Sequence, residues 1–182
     1  MVRVKHIQII ILFIGIFLYP FFPPLPFANS KGPAQYSFSY VTRVIDGDTL
    51  ELADRTRVRL IGIDTPELHF SRKLLRDSER SKKDIAVIQS LGRRARDFTR
   101  KLCMGKKVRL EFDIEKTDRY NRTLGYVYLE DGTFVNAKIV EDGYAQVLTV
   151  PPNVKYAELF LRLQDRARSD KRGLWQRGTH MN

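Results

Sequence analysis

Residues 36–63 read YSFSYVTRVIDGDTLELADRTRVRLIGI and contain the signals of three consecutive strands. Aromatic or apolar side chains alternate with polar ones through the first nine residues, which is the two-residue period of a half-buried strand. The pair Asp46-Gly47 is typical of a tight turn, so residues 36–53 are predicted to form a hairpin. A second turn at Asp54-Arg55 leads to a third strand, 57–63. The stretch therefore predicts a three-stranded meander.

The rest of the chain adds helices and two further long strands. Leu91, Ala95, Phe98 and Leu102 recur at helical spacing, and Gly105 ends that helix. Residues 68–90 are polar, basic and without a clear period, so they are predicted to be a long loop with some helix. The other predicted elements are strands at 108–112 and 123–130, a helix at 134–142, a short strand segment at 144–148 and a last helix at 154–169. This order predicts an α+β fold that is mainly β, a five-stranded OB-fold barrel with about three flanking helices.

Length and charge limit the class of protein. The 182 residues suit one domain with a substantial core, and 32 Lys+Arg against 21 Asp+Glu give a net charge of +11. Such a surplus favours polyanionic partners, nucleic acid or anionic membrane among them. The single cysteine, Cys103, is predicted to be a packed structural thiol. With only three histidines the chain cannot build a soft-ligand zinc cluster, so any metal is expected to be a hard ion held by oxygen.

The first 30 residues differ from the rest. Basic residues precede an apolar run, 7–22, and a proline cluster and a small-residue site, Ala28-Asn29-Ser30, follow. This order predicts a signal peptide or N-terminal membrane anchor over 1–30, then a linker over 31–35. The expected location is secreted, periplasmic or membrane-anchored with the domain outside the cytoplasm. The N-terminal segment is expected to interact with the membrane during export or as an anchor. The OB-fold domain is predicted over 36–176 and a C-terminal tail over 177–182.

Two short acidic motifs, IDGDT at 45–49 and IDTPE at 63–67, allow two interpretations. Each is explained by ordinary structure, a hairpin turn for the first and a helix N-cap for the second. In a meander, however, the turn after the first strand can come close to the end of the third. Asp48, Asp64 and the carbonyl of Thr65 would then offer three oxygen ligands, which suit Ca²⁺ or Mg²⁺ and leave room for water and a phosphate oxygen.

Three more residues extend this hypothesis to catalysis. Glu67 follows the candidate metal ligands Asp64 and Thr65 in the same motif. A carboxylate near a metal-bound water can accept a proton from that water. Arg59 and Arg122 can make paired hydrogen bonds to phosphate and oppose the charge that grows on it in the transition state. Taken alone, Arg122 in TDRYNR, 117–122, is better explained as a solvated loop arginine, and its place in a basic chain beside the other residues favours the catalytic role.

Four motifs in order, IDGDT, RLIGIDTPE, TDRYNRTLGYVY and the closing GLW, strongly resemble the staphylococcal nuclease (thermonuclease-like) family. The similarity runs from about Tyr40 to Trp175. It implies an OB-type barrel with three helices and Ca²⁺-dependent hydrolysis of phosphodiester bonds in DNA and RNA.

The resemblance also implies roles for single residues. Asp48, Asp64 and the main-chain oxygen of Thr65 would hold the metal, and Asp46 would lie near it without ligating it. The remaining matches are Arg59, Glu67 and Arg122 as the catalytic residues and Tyr120 near the substrate phosphate. Two features depart from the family's best-known member. Residues 68–90 are longer and more basic, and LTVPPN, 148–153, lacks the tyrosine that packs on the nucleotide base.

Three functions therefore compete. The first is an exported, monomeric, Ca²⁺-dependent nuclease with DNA and RNA substrates, in which Arg93, Arg94 and Arg96 attract the substrate backbone over long range. The second is a non-catalytic OB-fold module that binds nucleic acid. The third is a surface protein that binds anionic lipid or wall polymer through the basic stretch 72–101. Only the first requires Arg59, Glu67 and Arg122 together with both metal carboxylates.

Overall fold

A computed structural model describes residues 37–69, 71–81 and 84–176 of the chain, in which seven strands and four helices are formed. The strands are β1 (Ser37–Asp46), β2 (Thr49–Leu52), β3 (Arg57–Leu60), β4 (Ile63–Asp64), β5 (Lys107–Glu111), β6 (Thr123–Leu129) and β7 (Gln146–Val147). The helices are α1 (Arg72–Ser81), α2 (Ile85–Cys103), α3 (Val135–Glu141) and α4 (Ala157–Ser169), followed by a 3₁₀ turn (Gly173–Trp175).

Five of the strands close into a barrel in the order β1-β2-β3-β6-β5. The pairings are antiparallel apart from β3 with β6, which are parallel. The long strand β1 closes the barrel because it pairs with β5 through its first half and with β2 through its second. Register shifts within its β2 pairing mark the irregularities by which it bends. The predicted five-stranded OB-fold barrel is confirmed.

The third predicted strand, 57–63, is interrupted. β3 ends at Leu60, and Gly62 has a φ of +81°, a left-handed conformation that favours glycine. A Cβ on Gly62 would lie 2.6 Å from the Phe160 ring, so the position also requires the smallest residue. The chain then forms β4, which leaves the barrel and pairs with β7. This break carries Asp64 out of the barrel wall to the surface of a cleft.

Residues 68–90 contain more helix than the sequence predicted. α1 and the first residues of α2 together occupy most of the segment, because α2 begins at Ile85, six residues before Leu91. The apolar period is hard to see in α1 because, of its described side chains, Leu74 alone is buried. The Ser71 hydroxyl accepts a hydrogen bond from the Leu74 amide at 3.1 Å, which caps the first turn of α1. The prediction of a long loop was therefore wrong in extent.

The barrel interior is filled by branched aliphatic side chains, Leu50, Val58, Val108 and Val127 among them, all almost fully buried. α2 packs along the barrel, and Cys103 in its last turn is completely buried. Burial raises the pKa of the Cys103 thiol to about 12. The predicted packed thiol is confirmed.

The predicted signal peptide or anchor, 1–30, the linker, 31–35, and the tail, 177–182, lie outside the described residues. Within 37–69, 71–81 and 84–176, no helix combines the length and the apolar character needed to cross a membrane.

Candidate active site

An open cleft of about 1130 Å³ lies where the turn after β1, the β3–β4 bend, the loop before β6 and α1 meet. Seven residues singled out from the sequence line it: Asp48, Arg59, Asp64, Thr65, Glu67, Tyr120 and Arg122. The structure therefore brings together the predicted metal-binding and catalytic residues, which come from four separate parts of the chain.

Arg59 is the centre of this arrangement. One of its terminal nitrogens, Nη1, lies 3.2 Å from Asp48 Oδ2, and the other, Nη2, lies 2.9 Å from Asp64 Oδ1. Nη1 also donates to the carbonyls of Leu60 at 3.1 Å and Ile63 at 2.8 Å. The side chain is only 13% exposed, so both the backbone and the two carboxylates fix its direction. Asp48 and Asp64 therefore converge on one guanidinium.

Hydrogen bonds from Thr65 to Asp48 join the two acidic motifs. Asp48 Oδ2 accepts from the Thr65 amide at 2.9 Å and from its hydroxyl at 3.0 Å, across 17 positions of sequence. Asp48 Oδ1 accepts from the Thr49 hydroxyl at 3.0 Å. Asp48 is buried, and both of its carboxylate oxygens accept hydrogen bonds. The convergence on which the metal hypothesis depends is thus present in the structure.

Helix α2 packs against the backbone of both acidic motifs. The Thr99 hydroxyl donates to the Gly47 carbonyl at 2.7 Å, and a Cβ on Gly47 would come within 2.9 Å of the Ala95 methyl. One turn earlier in α2, a Cβ on Gly92 would lie 2.7 Å from the Pro66 carbonyl oxygen and 2.8 Å from that of Glu67. The backbone of the second motif therefore rests directly on the helix.

A third contact from α2 continues this support, because the Gln89 side chain donates to the Leu68 carbonyl at 3.2 Å. From the sequence, α2 was assigned only long-range attraction of substrate through Arg93, Arg94 and Arg96, and its support of the site was not predicted. Its signal was the small residue Gly92 inside an otherwise regular helix, which usually has a packing or functional reason.

Arg122 is oriented by Asp118, a contact that was not predicted from the sequence. Arg122 Nε donates to Asp118 Oδ2 at 2.8 Å, and Nη2 lies 2.7 Å from the same oxygen. Asp118 Oδ1 accepts from the amides of Arg122 and Tyr120, each at 2.9 Å. Burial by itself would raise the pKa of Asp118, but these hydrogen bonds and the Arg122 charge outweigh it and hold the pKa below its usual value.

Tyr120 stands at the edge of the cleft, 65% exposed. Arg119 donates to its hydroxyl at 2.8 Å, and the guanidinium carbons of Arg119 and Arg122 lie 4.8 and 5.5 Å from its ring centroid. Cation–π contacts with these two guanidinium groups stabilise the orientation of the Tyr120 ring. The phenol is therefore part of a positively charged rim beside Arg122.

The donor chemistry of the cleft fits a hard cation. Asp48 and Asp64 provide carboxylates that contact the same arginine, and Thr65 is buried against Asp48. In the part of the chain that the structure describes, no three His, Cys, Asp or Glu side chains form a metal-binding group by themselves. A Ca²⁺ bound here would accordingly take most of its roughly 6–8 oxygens from the main chain, water and substrate. Asp46 lines the cleft as well, its Oδ1 lying 3.6 Å from His69 Nε2.

Arg93, Arg94 and Arg96 are not among the residues that line the cleft. Arg94 donates to the Gly173 carbonyl at 3.2 Å, and Arg96 lies 3.4 Å from Asp97. Their attraction of substrate from a distance stays a prediction. The described basic residues that do reach the cleft from the segment 68–90 are Arg76 and Arg80 of α1.

The geometry defines a class of protein. Passive nucleic-acid-binding domains require basic and aromatic surfaces, whereas this OB-fold barrel also holds two oriented arginines among converging carboxylates. Such a site suits hydrolysis of a phosphodiester, in which charge grows on the phosphoryl oxygens.

Comparison with known proteins identifies the family. The family model described as "Staphylococcal nuclease homologue" matches residues 57–177. A thermonuclease of Staphylococcus intermedius is 37% identical over 155 residues, which cover 84% of each chain. A thermonuclease of Staphylococcus hyicus is 37% identical over 138 residues, 74% of this chain and 73% of that protein. Endonuclease YncB of Bacillus subtilis is 33% identical over 158 residues, 84% of this chain and 68% of that protein.

The chain belongs to the staphylococcal nuclease family and is a nuclease, a hydrolase of phosphodiester bonds.

Proposed function

We propose that the protein is an exported, Ca²⁺-dependent nuclease that hydrolyses both DNA and RNA. The observation that carries this proposal is the contact of Arg59 with Asp48 at 3.2 Å and with Asp64 at 2.9 Å, in the cleft that Glu67 and Arg122 also line. The names of two relatives, the thermonucleases of the Staphylococcus species, support it.

In the proposed reaction the two arginines bind the phosphate. Arg59 and Arg122 donate hydrogen bonds to its non-bridging oxygens, and these bonds strengthen as negative charge grows in the transition state. Asp118 keeps the Arg122 guanidinium in position, so that little reorganisation is needed when the substrate arrives. Donors of this kind are worth roughly 10²–10³ in rate.

Glu67 is the proposed general base. It lies on the cleft with its backbone against α2, and it would accept a proton from the water that attacks phosphorus. The attack forms a phosphorus–oxygen bond and breaks the bond to the leaving ribose or deoxyribose oxygen, which takes up a proton from solvent. Ca²⁺ held by Asp48, Asp64 and the Thr65 main chain would supply positive charge beside the phosphate.

Export is proposed from residues 1–30, whose basic, apolar and small-residue regions follow the order of a signal peptide. Fractionation of the producing cells tests this part. Export predicts the protein in the medium, the periplasm or on the outer face of the membrane, and recovery from the cytosol alone would contradict it.

The catalytic part is tested with labelled single-stranded DNA and RNA, the purified full-length chain and millimolar Ca²⁺. We expect cleavage of both substrates with Ca²⁺, its loss when a chelator is added, and its return when Ca²⁺ is restored. Cleavage that survives the chelator would contradict the metal requirement. Binding without cutting by a protein shown to be folded would favour a non-catalytic nucleic-acid-binding module.

A further inference from the structure

Helix α1 (Arg72–Ser81) forms one wall of the active-site cleft. Arg76 and Arg80 of this helix both line the cleft, and they are four residues apart. Residues at this spacing lie on the same face of a helix, about 6 Å apart along its axis. Two guanidinium groups are therefore presented along the wall, in addition to Arg59 and Arg122.

Leu74 anchors α1 to the rest of the fold, and Ser71 caps its first turn. Leu74 is fully buried, and its amide donates to the Ser71 hydroxyl at 3.1 Å. Residues 76 and 80 stand two and six positions after this anchor, so the helix turns them away from the buried side. Both arginine side chains are exposed.

The two arginines are available for an anionic ligand. Within 37–69, 71–81 and 84–176, neither Arg76 nor Arg80 has an ion-pair partner, whereas Arg59 and Arg122 are each paired with aspartate. Asp77 lines the same wall, so these three ionic side chains carry a net positive charge together. Two separate guanidinium groups, about 6 Å apart along the helix, suit a ligand with more than one phosphate better than a single carboxylate or a neutral sugar.

We propose that Arg76 and Arg80 bind phosphate groups of the polynucleotide that neighbour the one being cleaved. The inference rests on the proposed function, because its ligand is the substrate of the same cleft. A polynucleotide carries a negative charge at every nucleotide, so a strand whose scissile phosphate lies at Arg59 and Arg122 brings its next phosphates along the cleft. α1 thus makes the enzyme prefer long strands to dinucleotides.

The test compares two substrates, a 12-nucleotide DNA strand and a dinucleotide, both with Ca²⁺. The double variant R76Q/R80Q is measured against R162Q/R166Q, which removes the same charge at the same spacing from exposed positions of α4 that do not line the cleft. We expect the ratio of kcat/KM for the 12-mer to that for the dinucleotide to fall about tenfold or more in R76Q/R80Q and to stay unchanged in R162Q/R166Q.

The salt dependence gives a second readout. Each contact with a single-strand phosphate contributes about 0.7 to the slope of log affinity against log salt, so R76Q/R80Q should lower this slope by about 1.4 for binding of the 12-mer. An unchanged substrate ratio, or an equal loss of ratio in the α4 variant, would overturn the inference.

Failure of the proposed function is distinguishable from failure of this inference, because the wild-type protein would then cut neither substrate. The dissociation constant for the 12-mer, measured by fluorescence anisotropy, would then decide the inference by itself. A tenfold weaker complex in R76Q/R80Q alone supports it, and equal affinity in wild type and variant overturns it.

Discussion

Arg59 contacts two acidic side chains that the sequence places 16 positions apart, and neither contact can be predicted from local pattern. Asp48 alone is explained as a turn residue and Asp64 as a strand end. Hydrogen bonds from Thr65, the neighbour of Asp64, reach Asp48 across 17 positions of sequence. The resemblance could predict these residues as candidates, but their contacts are visible only in the three-dimensional structure.

Asp118 is the opposite case, because it lies close to Arg122 in the sequence and yet has no distinct signal of a site residue. It precedes Arg122 by four positions in TDRYNR, and its two oxygens accept hydrogen bonds from the Arg122 side chain and from two backbone amides. An aspartate that caps a loop in this way is common, so the pattern alone does not distinguish a turn from an arginine support.

We therefore predict that Asp118→Asn lowers kcat/KM about tenfold, because Arg122 loses its charged partner and is no longer held toward the phosphate. Steady-state cleavage of DNA measures this effect. Asp97→Asn, which removes an exposed partner of Arg96 outside the cleft, serves as the control and should retain full activity. Equal activity of the two variants would remove Asp118 from the mechanism.

The same variant tests the lowered pKa of Asp118. A carboxyl whose folded pKa lies below its unfolded value, about 3.9, stabilises the fold above that pH and loses its contribution as pH falls through the folded pKa. Urea unfolding should accordingly show wild type more stable than Asp118→Asn at pH 7, with the difference shrinking below about pH 4. A difference independent of pH would contradict this assignment.

At the scale of elements, α2 positions the catalytic loops without contributing a reacting group. It holds the Gly47 carbonyl through Thr99, and it lets the Pro66 and Glu67 carbonyls come close because residue 92 has no side chain. Apolar spacing predicted this helix from Leu91 onward, which includes Gly92, whereas Gln89, which contacts the Leu68 carbonyl, lies in the part of α2 that precedes Leu91. The apolar period of a sequence identifies the buried face of a helix. It does not identify which other segment of backbone packs against that helix.

Gly92→Ala should therefore impair both stability and turnover. Alanine favours helix by about 1 kcal/mol over glycine, but its methyl would lie 2.7 Å from a backbone oxygen, and such overpacking costs about 1–3 kcal/mol. We expect a net loss of stability and a fall in kcat of about tenfold or more as Glu67 is displaced.

Thermal unfolding and single-turnover cleavage measure the two effects of Gly92→Ala. Ser90→Ala, an exposed substitution in the same helix, is the matched control and should leave both unchanged. A Gly92→Ala protein that is more stable and fully active would show that α2 does not position Glu67.

α1 was not recognised from the sequence for a physical reason. Of the described side chains of α1, Leu74 alone is buried, so the helix has too few apolar positions to display a period, although its Ser71 cap is a regular helix start. In contrast, the barrel strands were predicted well because alternation of buried and exposed side chains is local. The break at Gly62 was missed because it depends on the distant ring of Phe160.

At the scale of the whole molecule, the net charge and the fold explain why a polyanion is attracted. The cleft explains how a phosphodiester bond of that polyanion could be hydrolysed. A charge of +11 would serve a binding protein as well as a nuclease. The distinction lies in one cleft that assembles Arg59, Arg122 and Glu67 from different parts of a closed barrel. Family membership establishes the class of enzyme. In the proposed mechanism, Glu67 is the one residue assigned as the general base.

The most direct test of this account compares kcat for DNA cleavage, with saturating Ca²⁺, in wild type, Glu67→Gln and Glu115→Gln. Both glutamates line the cleft, and both substitutions remove one negative charge, but Glu115 is exposed and has no assigned role in the reaction. We predict that Glu67→Gln loses about 10²-fold or more in kcat with an unchanged melting temperature, and that Glu115→Gln turns over like wild type. Near-native turnover by a folded Glu67→Gln protein would contradict the account.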